Sequence, residues 1–172
     1  MDLRNQLLKE HSKENCKKIV DRVGNDLKRF NELFHLFLED ENRVTQRSAW
    51  PMSYCVIAHP DLMKNNFGRL IDNLNKPNLH DAIKRNTVRL LQSIDIPEKY
   101  EGAVMNICLK YLESPTEAVA IKAFSLTILG NMSQKYPEII PEIKLLVEDQ
   151  LPHQTAAFKG RAKKLLQDYR FN

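Results

Sequence analysis

Apolar residues recur along this chain at three- and four-residue intervals, and strict alternation of apolar and polar positions is nowhere sustained. That spacing lays them along one stripe of an α-helix, which turns once every ~3.6 residues. One stripe runs through Ile83, Thr87, Leu90, Leu91 and Ile94. The same offsets fit Ile121, Ser125, Ile128, Leu129 and Met132, and again Phe158, Ala162, Leu165, Leu166 and Tyr169. The triplets Ala82-Ile83-Lys84, Ala120-Ile121-Lys122 and Ala157-Phe158-Lys159 hold equivalent places, 38 and then 37 residues apart, and Val44-Thr45-Gln46 is a weaker copy upstream. A fixed period of that length is the signature of a repeat architecture.

A second helical series interleaves with the first: Phe30, Leu33, Phe34 and Phe37; Phe67, Leu70, Ile71 and Leu74; Val104, Ile107, Cys108 and Tyr111; Ile140, Ile143 and Val147. Each repeat is therefore a helical hairpin. Breaker-rich stretches separate the helices, "NKPNLHD" at 75–81, "ESPTEA" at 113–118, "KYPEIIPE" at 135–142 and "LPHQTA" at 151–156, with Pro, Asn or Thr beside the helix starts. Leu3, Leu7, Leu8, Cys16, Ile19, Val20 and Val23 fit a shorter hairpin over 1–24 that caps one end. The pattern predicts an all-α fold, a right-handed α-α superhelix of about four to five hairpins, each resting on its neighbours. Repeats are expected at about 25–62, 63–98, 99–135 and 136–172, in one domain.

Composition agrees with a chain able to bury a core: hydrophobic residues make up 42% and charged residues 28% of 172, with a mean hydropathy of −0.46. No apolar run reaches the roughly 18 residues of a membrane span, and the polar start "MDLRNQLLKEHSKENCKKIV" offers no signal peptide, so a cytoplasmic location is expected. Cys16, Cys55 and Cys108 are far apart and odd in number, which argues against disulfides or a zinc site and for small buried hydrophobes.

A catalytic constellation is not legible. The five histidines contain no His-x-x-x-His pair, and the one Glu-x-x-His match, Glu32 to His35, lacks the second copy that a carboxylate-bridged metal pair needs. The acidic clusters Glu39-Asp40-Glu41 and Glu148-Asp149 fall at helix ends and turns, where solvated faces explain them. The five glycines form no phosphate loop, and no Gly-x-Ser-x-Gly elbow occurs. Neither enzymatic activity nor a cofactor is expected.

The stretches "HDAIKRNTVRLLQSIDIPE", "AVAIKAFSLTILGN" and "EDQLPHQTAAFKGRAKKLL" resemble HEAT and HEAT-like repeats, and the resemblance covers nearly the whole chain. They look like a group of short bacterial, Bacteroidetes-type HEAT-like proteins, some of which carry the label adenylosuccinate lyase. That lyase superfamily has a Ser-Ser-x-Met-Pro-x-Lys-x-Asn loop; here only Lys84-Arg85-Asn86 matches it, inside a repeat helix. The resemblance implies that the second helix of each pair lines a concave side. The position after each stripe start would then form a ladder of Gln46, Lys84, Lys122 and Lys159, with Arg47 and Arg85 beside its first rungs. Such a stripe would attract an acidic protein surface or phosphates; equally, lysines flanking an apolar stripe snorkel over a neighbouring helix.

Trp50, the single tryptophan, precedes Pro51 at a border position in the same register. An exposed indole there would anchor a partner or stack on a base, whereas a buried one would pack on the next helix, the preferred reading for so apolar a side chain. Pro51 should kink or restart its helix. The implied function is a non-catalytic scaffold that binds a protein partner through its concave face, an acidic partner where the lysine ladder makes the contact. The alternative is a nucleic-acid binder similar to the alkylpurine DNA glycosylases built from HEAT-like repeats. A net charge of +4 and an aromatic content of 8% weigh against that alternative.

Overall fold

The computed structural model describes residues 2–168. Among them the chain is all-α: helices α1 (Leu3–Lys9), α2 (Lys13–Val23), α3 (Leu27–Glu39), α4 (Asn42–Ala58), α5 (Phe67–Leu74), α6 (Asp81–Leu91), α7 (Glu98–Glu113), α8 (Val119–Met132), α9 (Ile140–Gln150) and α10 (Ala156–Asp168), with short 3-10 turns at Pro60–Met63, Pro137–Ile139 and Leu151–His153. Both helical series fall where the periodicity places them, and each breaker stretch separates two helices. The sequence treats the chain as one domain; backbone packing groups it into two compact units, Met1–Ile94 and Asp95–Asn172.

In the first unit α4 is the hub, packing on α1, α2, α3 and α6. Its core includes Leu3, Leu7, Ile19, Phe30, Leu33, Phe34, Phe37, Met52, Leu70 and Leu90. Side chains stop and start the helices. Asp2, Ser12 and Asp26 accept from the amides of Arg4, Asn15 and Arg29, satisfying helix donors that have no partner within the helix. Asn15 ties the first two helices together by donating to the carbonyls of Gln6 and Glu10, both at 2.8 Å. α4 runs without interruption from Asn42 to Ala58 with Pro51 inside it, so the restart expected at Pro51 does not occur. Ala49, Met52, Cys55 and Val56 are buried on both sides of the proline and hold the two halves in place.

α2 ends at Gly24, whose amide donates to the Val20 carbonyl from a backbone at φ 50° and ψ −131°. A side chain would find room there, its nearest neighbour being the Asp21 carbonyl oxygen at 3.7 Å, but the conformation itself excludes L-residues. Gly24→Ala is therefore expected to cost about 1–3 kcal/mol. A urea titration reads this directly, and an unchanged midpoint would show that the turn adopts another conformation.

In the second unit α7 packs on α8 and α9, and α8 on α10, around Val104, Ile107, Leu112, Ile121, Leu126, Ile143, Val147 and Phe158. Gly130 permits the close approach of α8 to α10, since a Cβ there would lie 2.9 Å from Leu165 Cδ1. The stripe residues Ile83, Ile121 and Phe158 are all buried. Ile94 departs from the pattern because α6 stops at Leu91, which leaves it past the helix end and half-buried. Tyr169 lies outside the described residues.

Candidate functional site

The sequence-derived site residues divide between the units: Arg47 and Trp50 on α4 and Lys84 and Arg85 on α6 in the first, Lys122 on α8 and Lys159 on α10 in the second. Their environments differ. Arg47 turns inward, its Nη1 donating to the carbonyls of Leu7 at 3.0 Å and Leu8 at 2.9 Å. It thereby satisfies carbonyls in the last turn of α1, a structural use of the guanidinium. Lys84 is half-buried and pairs with Asp81 at 3.3 Å, the geometry of a snorkelling lysine. Arg85 and Lys159 are exposed.

Lys122 is not an open rung, for it is only 4% exposed. Its amine donates to Gln150 Oε1 at 2.7 Å, and Gln150 Nε2 donates to the Leu112 carbonyl at 2.7 Å. This relay joins α8, α9 and α7. The stripe register alone marks the position as a border; the end of α9 covers it. Burial lowers the lysine pKa, and Glu117 opposes that shift.

Trp50 marks a different feature. With Tyr54, one turn on along α4, it forms one wall of a cleft whose other wall is Lys13, Glu14, Cys16, Lys17 and Val20 of α2. The cleft volume is about 300 Å³. The indole is half-buried, between the two environments weighed from sequence. It meets His11 edge-on at 5.6 Å between centroids and lies 6.4 Å from the Tyr54 ring. Arg89 of α6 places its guanidinium 4.3 Å from the Tyr54 ring centroid, a cation–π distance. Arg89 and then Trp50 lower the phenol pKa.

The cleft is thus an apolar trough of Cys16, Val20, Trp50 and Tyr54, with Lys13, Lys17 and Glu14 along its α2 side. Such a surface suits a large apolar side chain carried between acidic neighbours. Of these residues, Trp50 alone stands out in the sequence. The spacing of Trp50 and Tyr54, and of Cys16 and Val20, four residues apart in each helix, was the available signal; that α2 lies against α4 is a tertiary fact.

Chemistry of other kinds has less to work with. Among the described residues no group of three or more His, Cys, Asp and Glu is placed to hold a metal ion, and no helix is long and apolar enough to cross a membrane. His35, the histidine of the Glu-x-x-His match, faces Glu39 at 3.4 Å. Cys16, Cys55 and Cys108 are free and buried. No curated protein and no solved structure matches the chain. The description HEAT repeat domain matches residues 3–168, and the chain, built of paired helices throughout that span, belongs to this family.

Proposed function

We propose that this helical-repeat protein is a non-catalytic scaffold that binds a protein partner, and that the Trp50 cleft is its anchor point. The observation that carries the reading is the cleft itself: an aromatic wall of Trp50 and Tyr54 facing Cys16 and Val20 across one trough, with Lys13 and Lys17 on the α2 side. The occupant is an acidic segment presenting a leucine or phenylalanine. The apolar side chain fills the trough between α2 and α4, and its acidic neighbours face Lys13 and Lys17. Nucleic acid is the weaker reading, because binding along a nucleic-acid strand draws on a strongly basic groove, whereas the net charge here is +4 and Glu14 stands beside Lys13 and Lys17 at the cleft.

Trp50 is the single tryptophan, so intrinsic fluorescence reads the cleft without a label. Titration with a short peptide carrying one leucine between glutamates should shift the emission to saturation, and the same peptide flanked by lysines should not. Trp50→Ala, followed with a fluorescein-tagged peptide, should weaken binding by about 2 kcal/mol or more, roughly thirtyfold. Equal binding of both peptides, or saturation by a single-stranded oligonucleotide with a steep salt dependence, would overturn the assignment.

A further inference from the structure

The second unit presents a side chain of the kind that suits the Trp50 cleft. Leu145 of α9 is 70% exposed, ahead of Leu27 at 46% among the described residues. The buried residues of α9, Ile143 and Val147, lie on the opposite face of the helix. Positions three and four residues away flank a side chain on a helix surface. For Leu145 these are Pro141, Glu142, Glu148 and Asp149, all exposed. Lys144 pairs with Glu148 at 3.8 Å, so three carboxylates and one ammonium group frame the leucine.

A lone exposed leucine is ordinary on a protein surface. Its acidic frame is what gives it a partner. Leu27, by contrast, stands beside Lys28 and Arg29 and would bring cations to a cleft that already carries them. In that cleft Lys13 and Lys17, about one turn apart along α2, are exposed, and neither has a carboxylate partner among the described residues. With Glu14 beside them, the α2 side keeps a surplus of one positive charge. Cys16, Val20, Trp50 and Tyr54 supply the apolar surface. A leucine that leaves water for this trough gains by burial, and the complementary charges at its edge select it over other exposed apolar side chains.

We propose that the cleft of one copy takes Leu145 of a second copy, so that the chain is its own partner. This rests on the reading of the Trp50 cleft as a docking site. Leucine and cleft belong to different units, so the contact joins two unlike surfaces. One leucine anchor gives a weak association that depends on concentration, not an obligate assembly.

Sedimentation velocity of the whole chain from about 10 μM to about 1 mM should show mass rising with concentration, and the Trp50 emission should shift in step. Leu145→Ser, at an exposed position, should keep the fold and weaken the association about tenfold or more. Trp50→Ala should do the same from the other side. Mixing these two variants leaves one intact contact, between the cleft of the Leu145→Ser copy and the leucine of the Trp50→Ala copy. Trp50 is the single tryptophan, so only the Leu145→Ser copy carries an indole in that mixture, and its emission should shift as the other copy is added. If Trp50→Ala fails to fold, Lys17→Glu takes its place and sedimentation of the mixture is the readout. Self-docking is overturned if the parent chain stays monomeric throughout, if Leu145→Ser associates as the parent does, or if the mixture forms no contact. A monomeric chain whose emission still saturates with the glutamate-flanked leucine peptide overturns self-docking alone and leaves the cleft to another protein. Failure of that peptide as well overturns the cleft reading itself.

Discussion

Truncation of Phe34 to alanine is expected to lower the unfolding free energy by about 3–5 kcal/mol, the range for emptying a large aromatic site in a packed core. Phe34 is 1% exposed and sits between Phe30 and Phe37, each 5.9 Å away centroid to centroid and nearly parallel. The guanidinium of Arg69 lies 5.7 Å from its ring centroid. Alanine would leave a void bounded by two rings that belong to the same helix and have little freedom to close it. Trp50 belongs to the same unit, so its fluorescence during a urea titration reports this loss. A midpoint equal to that of the parent would mean that the α3 face is not the core.

Substituting Lys84, Lys122 and Lys159 together by glutamate should cost about 3 kcal/mol or more, with nearly all of the loss at Lys122. A carboxylate at 122 would replace a bonded amine in a buried position and stand near Glu117, whose charge already acts on this site. Lys159→Glu alone is exposed and should change stability by less than about 0.5 kcal/mol. Lys122→Met, which keeps the stem and removes the charge, should cost less than the glutamate. Thermal melts of the four variants separate these effects. A stable Lys122→Glu protein would return Lys122 to the open surface.

The difference between those lysines shows what a linear pattern encodes. Helix positions, breaker segments and stripe residues are legible because each depends on contacts within a few residues, where 3.6-residue geometry ties spacing to facing. The state of Lys122 depends on Gln150, a partner from another helix, and nothing in the Ala-Ile-Lys triplet distinguishes it from Lys159. Arg47 is a similar case, since its acceptors Leu7 and Leu8 sit on the end hairpin. Trp50 stood out by rarity, but the α2 residues that complete its cleft are ordinary amphipathic positions. Asn73 lies outside the α5 stripe of Phe67, Leu70, Ile71 and Leu74 and is buried all the same.

The three buried cysteines have a use beyond filling space. Burial pushes their thiols up, to about 11 for Cys16 and about 12 for Cys55 and Cys108, so the reactive thiolate is scarce near neutrality. Alkylation of the fully buried Cys55 and Cys108 must therefore wait for the protein to open. Cys16 and Cys55 belong to the first compact unit and Cys108 to the second. Each half of the chain thus carries its own built-in clock: the rate at which iodoacetamide marks each cysteine times the local opening around it. Cys16, in the wall of the Trp50 cleft, also registers whatever occupies that trough.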